Sequence, residues 1–181
     1  MIWIKQFNED SGKLTKKEFA LKYILPLSII VISWFSLYNF INLVSTDNNL
    51  THIKGTFKKF NIRTKNHSSK SGNYITKDLL IYINEDSEYY DIQSRYNYTN
   101  VLESLKVGDK IDIYTENSLC FYLWPIHFKE IYKLDSNGHT LFEYKQVKDF
   151  SLIMFSVSFG LILVIIISLK FQNAKIKKPI N

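Results

Sequence analysis

Two stretches without a single charged side chain, Tyr23–Val44 and Phe150–Leu169, constrain this chain more than anything else in it. Each is about 20 residues long. As a helix rising ~1.5 Å per residue, such a stretch spans a hydrocarbon core of about 30 Å. A buried helix of a soluble protein is expected to carry a polar stripe along one side, and neither stretch reads as having one. The chain is therefore expected to be a two-pass membrane protein in contact with the lipid bilayer. Its expected divisions are an N-terminal segment (1–22), a first span (23–44), a folded domain (45–149), a second span (150–169) and a tail (170–181). The first span begins too late and runs too long for a signal peptide, and it ends in NLVSTDNN without a small-residue cleavage site, so it reads as a retained anchor.

Charge follows the same partition. The net charge of +6 resides in the ends: five lysines against Glu9, Asp10 and Glu18 before the first span, and Lys170, Lys175, Lys177 and Lys178 after the second. The stretch from Ser45 to Asp149 has 14 basic and 14 acidic residues and is balanced. Short basic flanks stay in the cytoplasm, whereas a loop of this length translocates largely regardless of its charge. Both termini are thus expected in the cytoplasm and the central domain on the outer side of the cytoplasmic membrane. Trp3, Lys16, Lys17, Lys22 and Lys170 are the expected anchors at the membrane interface. A balanced domain argues against nucleic acid as a partner.

Thr15 followed by Glu18 forms a capping box, and Leu14 with Phe19 a hydrophobic staple, so the first helix should begin near Lys16, before the membrane. Pro26 removes one hydrogen bond inside that helix and predicts a mild kink. Asn39 and Asn42 lie three apart near its outer end. In the second span, Ser156 and Gly160 have the small-x-x-x-small spacing that lets helix backbones approach, either within the chain or in a homo-oligomer.

The domain between reads mostly as strands: 52–63 with a bend or bulge at Gly55, then 74–83 and 89–94, with KNHSSKSGN as a polar loop. Thr99 or Asn100 caps a turn or two of helix. After the Gly108–Asp109 turn, Ile111, Ile113 and Thr115 alternate with Asp112 and Tyr114 as in a half-buried strand. LCFYLW is a further strand, and Asn137–Gly138 marks a hairpin between 131–134 and 140–144. Six or seven short strands and one short helix predict an α+β chain: two transmembrane helices bracketing a small antiparallel β-barrel or sandwich.

This layout resembles an uncharacterised family of small two-pass bacterial membrane proteins with a compact OB-like or SH3-like β-barrel between the helices. The likeness is carried by Gly55–Phe57, the strand pair 74–83 and 89–94, the stretch Leu102–Tyr114 and the stretch Ile131–Tyr144. The loop 65–73 and LCFYLWP depart from a minimal barrel. The resemblance implies the layout and no activity.

Chemistry has few footholds in the sequence. His52, His67, His127 and His139 lack zinc spacing, and the lone Cys120 sits in an apolar run, so neither a metal nor another cofactor is expected. No G-x-S-x-G or phosphate-binding loop occurs. Glu85, Asp86, Glu88 and Asp91 lack calcium-loop order and read as a solvated turn. The sequons at Asn49, Asn66 and Asn97 occur at the frequency chance gives. Tyr89, Tyr90, Tyr96 and Tyr98 cluster on one segment and are the candidate protein-binding residues. The chain is thus expected to be a non-enzymatic, membrane-anchored β module for a protein partner. The alternatives are a bacterial immunity protein against a membrane- or envelope-acting toxin, and an accessory subunit of a transporter or channel.

Overall fold

A computed structural model describes residues 15–70, 72–117 and 129–176. The chain divides into two compact units. One is helical and comprises Met1–Asn39 and Ile153–Asn181. The other, Phe40–Leu152, is built on a sheet.

In the helical unit the sequence's start signal is realised atom for atom. The Thr15 N–H and hydroxyl both donate to Glu18 Oε2 (3.0 and 2.7 Å), and the Glu18 N–H donates back to Thr15 Oγ1 at 3.3 Å. Helix α1 (Lys16–Phe19) runs through a π turn at Ala20–Ile24 into α2 (Leu25–Val44). The π turn lies immediately before Pro26. Its wider backbone leaves room for the proline ring, which in a regular helix would meet the carbonyl four residues back. The predicted irregularity is therefore a π turn. The stretch Leu21–Val44 is long and apolar enough to cross a membrane, and so is Tyr144–Lys170. The expectation of no polar stripe needs correction for the first of these. Ser36, Asn39, Asn42 and Ser45 recur every third residue along α2, and all four are buried. Asn39 Nδ2 and Ser45 Oγ return their hydrogen bonds to the carbonyls of Phe35 and Ile41, so neither polar group is left wanting a partner.

The sheet unit is an antiparallel, six-stranded open sheet of order β3-β2-β1-β4-β5-β6. Its strands are β1 (Leu50–Ser69), β2 (Gly72–Ile83), β3 (Tyr89–Ile92), β4 (Lys110–Asn117), β5 (Ile131–Ser136) and β6 (His139–Phe142). A short helix, α3 (Thr99–Ser104), joins β3 to β4, and α4 (Tyr144–Ile176) follows β6. The fold is α+β, but the sheet is not the closed barrel expected. A single parallel bridge, Asp91 to Glu130, links edge strand β3 to the residue before β5. β3 is only four residues long, too short for a continuous ladder along that seam.

β1 organises the sheet by serving two partners. Its first half, Leu50–Thr56, pairs with β4, and its second half, from Phe57, pairs with β2, with a bulge between Phe57 and Lys59 where the strand changes partner. Gly55 is not itself the bulge. A Cβ there would lie 2.8 Å from Ile83 Cδ1 and 2.9 Å from Glu85 Oε2, so close approach of β2 demands the glycine. The predicted polar loop at 65–73 is also corrected. Arg63–Ser69 and Gly72–Asp78 continue as a paired ribbon, polar because both its faces meet solvent.

The core behaves as the alternation foretells. Ile111, Ile113 and Thr115 are buried, and join Phe57, Leu79, Ile81, Ile92, Ile131, Leu134 and Phe142. Each such apolar side chain contributes ~1.5–3 kcal/mol when withdrawn from water. Val101 and Leu105 from the α3 segment pack onto this core. The cap of α3 is neither Thr99 nor Asn100: Asn97 Oδ1 accepts the Thr99 N–H at 3.0 Å. Asn137 (φ 50°) and Gly138 (φ 84°) make the predicted hairpin turn. α4 starts at Tyr144, six residues before the predicted span, and its first turns belong to the sheet unit. There Val147 is buried, and the Tyr144 hydroxyl donates to the Asn42 carbonyl at 2.8 Å. The expected strand LCFYLW, with Cys120, lies outside the described residues.

Candidate functional site

Strand alternation sorts β3 and its continuation into two faces. Tyr90, Ile92 and Tyr96 enter the core, while Tyr89, Asp91, Gln93 and Arg95 line the opposite side. On β1, Arg63 and Lys65 share that side, and cross-strand pairing puts Asp78 of β2 directly beside Arg63. Together with Ser87, Glu88 and Lys129 they enclose a cleft of about 760 Å³.

Its walls are held by ion pairs arranged in depth. The Arg63 guanidinium contacts Asp78 at 3.0 Å and Asp91 at 2.9 Å, and donates through Nη1 to the Tyr89 hydroxyl at 3.0 Å. Lys65 reaches Asp78 at 2.7 Å, Arg95 reaches Glu130 at 2.7 Å, and Lys129 meets Asp86 and Glu88, both at 2.9 Å. The Asp78, Asp91 and Glu130 side chains are 4–8 % exposed, whereas the Arg63, Lys65, Arg95 and Lys129 side chains are 32–46 % exposed. Acids therefore lie beneath and cations above. Aromatic rings brace the cations further. Arg95 lies 4.9 Å from the Tyr96 ring centre and 4.4 Å from that of Phe150, Lys129 5.0 Å from that of Tyr90, and Arg63 5.6 Å from that of Tyr89.

The acids divide by depth as well. Burial pushes the Glu130 carboxyl up to about 7, against the pull of Arg95. Burial also raises Asp91, with Arg63 opposing. Burial would raise Asp78 too, but hydrogen bonds from Lys65, the Ser94 N–H and Arg63 outweigh it and hold that carboxyl low. Asp86 is held low by the Glu88 N–H, then by Lys129 and the Tyr90 hydroxyl. Tyr90 itself is pushed up to about 12, first by burial and then by its bond to Asp86. The acidic run is thus not simply a solvated turn. Asp86 and Asp91 are structural anchors, and Glu85 accepts from the Thr56 N–H and hydroxyl at 2.8 and 2.9 Å.

The four candidate tyrosines do not share one surface. Tyr89 is 39 % exposed on the cleft wall. Tyr90 and Tyr96 are core residues, because alternation turns them inward, and Tyr98 is half-buried with its hydroxyl on the Lys77 carbonyl. Ser156 is exposed and a Cβ added to Gly160 would touch nothing, so this pair is not where the chain packs on itself; the buried serine of that helical stretch is Ser158. Lys22 and Lys170 are exposed, Trp3 lies outside the described residues, and Lys16 and Lys17 fall in α1. His52 pairs with Asp112 at 2.7 Å, His67 shares a hydrogen bond with Thr76 at 2.8 Å, and His127 lies outside the described residues. Among the described residues no group of three or more His, Cys, Asp or Glu side chains is placed to hold a metal ion. The cations that make the cleft escaped the sequence reading, although Asp91, Gln93 and Arg95 already alternate with Tyr90 and Ile92 in the way a polar strand face does.

No protein-family model, no curated protein and no solved structure matches this chain.

Proposed function

We propose that this chain is a two-pass membrane protein whose sheet unit is a non-enzymatic module that binds a protein partner at the outer face of the cytoplasmic membrane. One observation carries the reading: a preorganised cleft walled by arginine and tyrosine, the residue types that dominate the energetics of protein interfaces. Arg63, Arg95 and Lys129 are each fixed by a carboxylate and an aromatic ring, so little side-chain entropy remains to be lost on binding. The titratable groups serve one another as anchors.

Anchorage in the membrane rests on the length of the two apolar helices and on the large apolar side chains they expose, among them Leu27, Ile30, Val31, Ile153, Val157 and Val164. Orientation rests on the short basic ends. The element order, with a long two-partner β1, a helix between β3 and β4 and one parallel bridge from β3 to the start of β5, supports an OB-like resemblance in an open form.

The test is a pull-down of the tagged full chain from detergent-solubilised membranes. A protein retained by the wild type and lost from Tyr89→Ala supports the proposal. Identical retention by both removes the cleft from it. A compartment-sensitive reporter fused to the C-terminus should be active only in the cytoplasm.

A further inference from the structure

The cleft says more about its occupant than that it is a protein. Its four cations do not converge on a point. Each is tethered to its own carboxylate, and Arg63 and Lys65 stand two residues apart on β1. Side chains so spaced on one face of a strand are ~7 Å apart, which is also the repeat of side chains on one face of an extended peptide. A single phosphate group would instead require donors gathered around one centre. The cations also hold more N–H groups than their internal partners use. The Lys65 ammonium has three and meets one carboxylate, and the Arg95 guanidinium has five and gives Nη2 to Glu130. These heads are the solvent-facing layer, and the acids that balance them are beneath.

We infer that the cleft receives an extended acidic segment of the protein partner, with its carboxylates along the Arg63–Lys65 row and reaching Arg95 and Lys129. This rests on the partner-binding reading above. The deep acids accommodate the added negative charge. Glu130 is faced by Arg95, Asp91, Glu116 and Tyr96, and both Glu130 and Asp91 take up protons more readily than ordinary carboxylates. An anion drawing on Arg95 favours proton uptake by Glu130, so capture tightens as pH falls from 8 to 6.

Labelled hexaglutamate, titrated into the full chain in detergent micelles and followed by fluorescence anisotropy, tests this. The expected result is saturable binding that weakens about tenfold or more in Lys65→Glu and in Lys129→Glu. It should weaken with salt and survive replacement of the tail lysines Lys175, Lys177 and Lys178 by glutamine. Competition on the unmodified chain needs no variant: unlabelled hexaglutamate should displace the label, and hexalysine, inorganic phosphate and oligogalacturonate should not. Binding that depends on the tail lysines alone, or displacement as effective by phosphate or oligogalacturonate, overturns the inference. A partner captured from membranes that hexaglutamate fails to displace also overturns it and leaves the partner reading standing. Hexaglutamate bound at the cleft, with no protein captured, sustains the acidic specificity and overturns the partner reading.

Discussion

Glu130 should make this protein more stable in mild acid than in mild base. Its carboxyl lies under Arg95 with a side-chain exposure of 8 %, and burial moves it from an ordinary 4.5 to about 7. A raised pKa means that the folded state holds a proton that the unfolded state releases between these two values. The stabilisation is fully present below pH 4.5 and is lost as pH rises through about 7. Between pH 5 and pH 8 the loss is about 2.5 kcal/mol, or roughly 10 °C in unfolding midpoint for a unit of this size. Asp91, whose carboxyl is also raised, changes stability in the same direction. Asp78, Glu85 and Asp86, whose carboxyls are held low, lose their contribution only in stronger acid. The assay is thermal unfolding of the full chain in detergent, followed by the circular dichroism of the sheet at pH 5, 6, 7 and 8. Glu130→Gln cannot ionise and should flatten most of the slope. A wild-type midpoint that does not fall above pH 5, or a Glu130→Gln variant that falls as steeply, would refute the reasoning.

Three substitutions probe the packing on which the cleft depends, each read by the same melting experiment. Gly55→Val forces a side chain against Ile83 and Glu85 and should cost about 1–3 kcal/mol. Phe142→Ala empties a fully buried ring position beside Tyr96 and should cost about 3–5 kcal/mol. Tyr144→Phe deletes the hydroxyl on the Asn42 carbonyl and should cost about 1 kcal/mol; an unchanged midpoint would show that this bond contributes nothing measurable.

Where the sequence was legible, a local physical rule acted without competition. The Thr15–Glu18 capping box, the Asn137–Gly138 turn and the alternation through Ile111, Ile113 and Thr115 depend on neighbours a few residues away, and all three appear as expected. Lys65–Asn73 was misread because a ribbon wetted on both faces has the composition of a loop. Gly55 was assigned to a bulge because the demand on it comes from Ile83, 28 positions on, and not from its own backbone. The tyrosine cluster illustrates the same divide. Alternation alone distinguishes Tyr89 from Tyr90, yet it does not say which of them faces the core. The cleft needed still more, because Arg63, Asp78 and Asp91 meet only once β1, β2 and β3 are in register. The Arg95–Glu130 pair requires in addition the parallel bridge at β3.

The most direct test of the account is site-specific photo-crosslinking in intact cell membranes, with a benzoylphenylalanine replacing Tyr89 on the cleft wall and, separately, Val107 on an exposed loop away from it. The account predicts a discrete, light-dependent adduct to another polypeptide from position 89, suppressed by Lys65→Glu, and none from position 107. An adduct from position 107 alone, or the same adduct from both positions, would contradict it.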